Sequence, residues 1–145
     1  MSNNLVAKAK TSIKATKDQV WEELVTPDAI KQYMFGTDVS SNWRKGGEIT
    51  WKGEYKNKKY EDKGVILKIE PGQTLQYSHF SPLSGKPDAP ENYHTVTINL
   101  SDNGRETLVA LSQDNNADEN GLKESEQTWT AMLDGLKKYV EKSSE

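Results

Sequence analysis

The chain has 145 residues and a net charge of −3 at neutral pH, which speaks against general binding to a phosphate backbone. It has no cysteine, which excludes disulfides and thiolate zinc sites, and no apolar run near the ~18–20 residues of a membrane span. Leu, Ile, Val and Phe number only 27, but twelve aromatic residues and the small net charge predict a folded single domain over residues 1–145 with a lean core. The opening stretch MSNNLVAKAK lacks the apolar segment of a secretory signal, so a cytoplasmic protein is expected.

Leu5 to Ala15 alternates loosely and predicts a first strand. The period then changes. Thr16 with Gln19 three residues later is a capping-box pattern, and Val20, Trp21, Leu24 and Val25 follow at helical spacing. Pro27 opens a second short helix with Ile30, Tyr33 and Met34 on its apolar side, and Gly36 is placed to end it. A weak strand is predicted around Thr37–Asn42.

From there the period is two. EITWKGEY puts Ile49, Trp51, Gly53 and Tyr55 on one face, with Glu and Lys on the other. KYEDKGVILKIE is the next strand, closed by the turn pair Pro71-Gly72. TLQYSHF groups Leu75, Tyr77 and His79. Ser81 to Asn92 is a proline-rich loop, expected to border a cavity mouth and to be more mobile than the strands. Val96, Ile98 and Leu100 share a face of the next strand. Asp102-Asn103-Gly104 signals a hairpin, and Thr107, Val109, Leu111 and Gln113 share a face of the last strand. The lysines of the central hairpins are balanced by acids and read as a solvated edge.

A long helix from about Asp118 to Lys142 closes the chain. Leu122, Trp129, Met132, Leu133, Leu136 and Val140 lie on one side, with acids at its start and lysines at its end. The predicted fold class is α+β: a curved antiparallel sheet wrapped around a long C-terminal helix, with two short helices after strand one.

In that order and spacing, VWEELVTPDAIKQYM, WRKGGEITWKGEY, GVILKIEPGQTLQYSHF, TVTINLSDNGRETLVALSQ and WTAMLDGLKKYV resemble the helix-grip fold of the START and pollen-allergen-like (SRPBCC) superfamily. More narrowly the chain is similar to the family named after the activator of heat-shock-protein-90 ATPase. The resemblance implies an elongated cavity between sheet and closing helix. It transfers no universal catalytic motif, and it departs from the family at Gln113, where relatives often carry a histidine.

The residues themselves offer no metal-ligand spacing, no phosphate loop at Gly46-Gly47 and no nucleophile elbow, so neither a cofactor nor a metal is expected. His79 and His94 are far apart in the chain. Gln113, polar on an apolar face, needs a partner: a ligand, a water or the closing helix. The favoured function is binding of a small apolar or aromatic molecule of lipid, flavonoid or polyketide type. The candidate cavity lining from the sheet is Trp51, Tyr55, Leu67, Tyr77, His79, Ile98, Leu111 and Gln113. From the closing helix it is Trp129, Met132 and Leu136. The same inward residues also suit a plain core. The resemblance gives the alternative of a protein-interaction module acting with a chaperone. It also gives a less favoured enzymatic one, a cyclase or hydrolase with His79 as acid or base, for which no second group stands out as a partner.

Overall fold

A computed structural model describes residues 5–34, 36–55, 58–82, 85–116 and 118–143, apart from the side chains of Tyr55, Asn103 and Ser143. The elements are β1 (Leu5–Ile13), α1 (Lys17–Leu24), α2 (Pro27–Tyr33), β2 (Asp38–Ser41), β3 (Glu48–Tyr55), β4 (Lys58–Glu70), β5 (Thr74–His79), β6 (His94–Asn103), β7 (Glu106–Asn116) and α3 (Glu119–Ser143). The strands form one antiparallel sheet in the order β1-β7-β6-β5-β4-β3-β2. β2 to β7 is thus a meander, and β1 crosses over to pair with β7. The expected α+β helix-grip architecture is the one observed. Among the described residues no helix is long and apolar enough to cross a membrane.

The local signals act as their chemistry dictates. Thr16 caps α1 with a full capping box. Residues 44–47 make the turn before β3: the Gly47 amide donates to the Arg44 carbonyl, and Gly46 donates to Ile66. The β6–β7 hairpin turns one residue later than the sequence suggests. Asn103 pairs with Glu106, so Gly104 and Arg105 are the central pair, with Gly104 at φ +71°.

The core lies between the sheet and the helices. Met132, Leu133, Leu136 and Val140 of α3 are all at most 3% exposed. They meet Val96, Ile98, Val109 and Leu111 from the sheet and Val20, Leu24 and Ile30 from the short helices in one apolar cluster. α3 packs mainly along β1 and also meets β7 and α2. Polar bonds fix that alignment: the amides of Lys8 and Lys14 donate to Glu126 and Glu141 of α3. The hydroxyl of buried Thr107 donates to the Ala15 carbonyl.

One assignment needs correction. Leu67 does not face inward; it is 38% exposed, whereas its neighbour Ile66 is fully buried. β4 carries an extra residue there, because Ile66 pairs with Tyr77 but Lys68 with Gln76. The bulge switches the inward phase from even residues (Tyr60, Asp62, Gly64, Ile66) to odd Ile69. Extending the phase of Ile69 backwards puts Leu67 on the wrong face.

Candidate functional site

Because α3 leans toward β1, a cleft of about 710 Å³ opens on its other side, toward β3, β4 and β5. Trp51 is the centre of its sheet wall. Its ring lies 5.1 Å from that of Tyr77 and 5.0 Å, edge on, from that of His79. Across the β3–β4 ladder Trp51 is paired with Asp62. The β4–β5 pairing then brings Asp62 to His79, whose Nε2–H donates to Asp62 Oδ2 at 2.9 Å.

The opposite wall is α3, from Gln127 to Ala131, with Trp129 as its aromatic residue. The indole N–H of Trp129 donates to the Gln113 side-chain oxygen, which turns the ring by anchoring its polar edge to β7. The end of α2 supplies the third side. Thr37 gives its one hydroxyl proton to the Met34 carbonyl at 2.7 Å, so the Tyr60 hydroxyl, 2.6 Å away, is the donor to Thr37.

The polar groups of this site are unequally satisfied. Asp62 is 16% exposed and its Oδ1 is buried without a hydrogen-bond partner, the one such side-chain atom among the described residues. Burial holds the Tyr77 hydroxyl well above its ordinary pKa, so it stays a neutral phenol. Tyr33, fully buried beneath the site, is raised by the same cause, with Tyr77 and Glu23 adding to it. No group of three metal-binding side chains occurs among the described residues.

Residues 14–141 match the family described as "Activator of Hsp90 ATPase homolog 1-like protein". The chain belongs to this family. A solution structure from Cytophaga hutchinsonii is 54% identical over 99% of both chains, with a TM-score of 0.86. Two more distant structures share the fold. CalU16 from Micromonospora echinospora is 23% identical over 95% of this chain and 85% of that one, with a TM-score of 0.72. The Aha1 dimer from Colwellia psychrerythraea is 19% identical over 94% of this chain and 96% of that one, with a TM-score of 0.74. No protein with a curated description matches.

Within this member of the Hsp90-ATPase-activator-like family, the expected lining residues separate into groups. Trp51, Tyr77, His79 and Trp129 meet at the cleft, with the two tryptophans on facing walls. Ile98, Leu111, Met132 and Leu136 are core; the void that Ile98 and Met132 border is about 20 Å³, room for one water. Gln113 is buried and spends its oxygen on Trp129, the closing-helix option. Leu67 is outside, and the side chain of Tyr55 lies outside the described residues. Of the described part of the proline-rich loop, Ser81 borders the cleft. Farther along, Asp88 is tied to Lys63 and accepts from Tyr93 at 2.6 Å. Lys63 first, then Tyr93, holds the Asp88 carboxyl below its usual range.

Sequence reasoning missed Asp62, Tyr60 and Thr37. His79, seen without a partner in the sequence, has one in Asp62. It also faces His94, its direct partner across β5–β6, with rings 6.2 Å apart. The signal was present in β4: Tyr60 and Ile66 sit an even number apart, which places Asp62 between them on the same face.

Proposed function

We propose that the protein binds a small, predominantly aromatic molecule in the cleft between α3 and β3–β5, acting in the cytoplasm as a carrier or sensor. The observation that carries this is the set of four rings, Trp51, Tyr60, Tyr77 and Trp129, around one cleft of about 710 Å³. Ligand sites typically measure about 300–1,000 Å³ and are apolar with a few placed polar groups. Asp62, His79 and Thr37 are those groups here. Flat rings suit a rigid polycyclic ligand of flavonoid or polyketide type better than a flexible lipid chain, because stacking rewards planar partners.

Two-dimensional NMR titration with such molecules tests it. The indole signals of Trp51 and Trp129 are expected to move together, while those of Trp21 and Trp43, away from the cleft, stay in place. Four stationary indoles at high ligand concentration would overturn the proposal. The family description carries a second reading, interaction with a chaperone ATPase. Retention of purified chaperone at moderate salt, with a change in its ATPase rate, would bring that reading forward.

A further inference from the structure

The charged groups of the cleft are of one sign. Asp62 stands on its wall, Glu54 reaches its rim from the outward face of β3, and no Lys or Arg lines it among the described residues. Asp62 has one oxygen engaged by His79 and the other buried and unpartnered. A buried carboxylate oxygen costs free energy until a donor reaches it. Asp62 lines the cleft, and the terminal torsion of an Asp side chain is soft, so its carboxylate can turn toward a donor that enters there. The ring faces of Trp51, Tyr60, Tyr77 and Trp129 also carry the negative lobe of the aromatic quadrupole, which attracts organic cations.

From this we infer that the cleft selects molecules in which an aromatic body carries a protonated amine or amidine, the cationic nitrogen donating to the Asp62 carboxylate. The inference rests on the binding role proposed for the same cleft and names the ligand's charge. A neutral hydroxyl also donates to a carboxylate, but a charge-assisted bond is about twice as strong. Anionic ligands meet the Asp62 carboxylate as a like charge.

The test uses three naphthalene probes of similar length, ending in an ethylammonium, an ethanol and an acetate group, titrated against the full chain by NMR. The amine should bind about tenfold tighter than the alcohol, a difference a single charge-assisted contact supplies, and the acid most weakly. Asp62→Asn should abolish the preference, bringing the amine's affinity down to about that of the alcohol. If the alcohol binds and the amine gains nothing, or Asp62→Asn keeps the preference, the inference falls and the binding role stands. If none of the three moves the Trp51 and Trp129 signals, both fall. Should Asp62→Asn not fold, the carboxyl carbon of Asp62 in the unsubstituted protein decides. It moves on adding the amine if the inference holds, and an unmoved signal overturns it.

Discussion

Gly53 stands directly opposite Tyr60 in the β3–β4 ladder, and the phenol ring occupies the space that a side chain at Gly53 would take. The glycine therefore sets where the Tyr60 hydroxyl reaches Thr37. Gly53→Ala gains about 0.4–1 kcal/mol from a stiffer unfolded chain. It must also displace a stiff ring, at about 1–3 kcal/mol, and loses the Thr37 bond, worth about 1 kcal/mol. The steric cost wins. We expect a net destabilisation of about 1–3 kcal/mol in urea unfolding, with altered Tyr60 ring signals. Undiminished stability would show that Tyr60 can relocate freely.

The bulge in β4 makes a sharp contrast between neighbours. Ile66 is fully buried and Leu67 is 38% exposed. Ile66→Ala should cost about 2–5 kcal/mol through lost burial and a cavity. Leu67→Ala should stay within about 1 kcal/mol, as surface changes do. A larger loss at Leu67 than at Ile66 would mean that the strand has the opposite phase.

Trp129 and Gln113 form a couple that a mutant cycle can isolate. Trp129→Phe strands the buried Gln113 oxygen, at about 1–3 kcal/mol beyond the lost contact area. Adding Gln113→Leu removes the stranded group and should recover part of that loss. Strict additivity of the two substitutions would show that the hydrogen bond contributes nothing.

High pH probes the two buried phenols. Burial raises the pKa of both Tyr33 and Tyr77. Unfolded tyrosines ionise near 10, so above about pH 10 the unfolded chain has released protons that the folded one retains. Stability is therefore complete below that pH and falls as pH rises. In an absorbance titration, Tyr33 and Tyr77 should ionise only on unfolding. Tyr77→Phe should flatten the alkaline decline, and an unchanged slope would contradict the assignment.

What the sequence reveals here follows from how local each feature is. The 3.6-residue spacing of Met132, Leu136 and Val140, the capping box at Thr16 and the alternation in β7 are local patterns, and all of them match the structure. The single extra residue at Leu67 is not a pattern, and the run Val65-Ile66-Leu67 favours the wrong phase, with two apolar residues outward and only Ile66 inward. The meeting of Asp62 with His79 depends on the β4–β5 register, and that of Asp62 with Trp51 on the β3–β4 register, neither of which short windows encode. Even the turn at Gly104 shows this: the residue is legible as a hairpin glycine, but its place within the turn depends on the pairing of Asn103 with Glu106.

The crossover of β1 bears on how the chain acquires its structure during synthesis. Each strand from β2 to β7 pairs with the strand next to it in sequence, so these hairpins can close as they emerge, β5 and β6 across the longer proline-rich connection. β1 appears first, yet its ladder partner is β7, and its other main neighbour is α3. It leaves the ribosome as an unpaired strand and waits for nearly the whole sheet before it docks. The last event in folding is then a long-range closure, expected to be the slow step. Joining the ends through an added linker that runs back along the length of α3, and opening the chain between β1 and α1, would place β1 after α3. That rearrangement should shorten the wait, and with it the period in which an open strand edge invites aggregation.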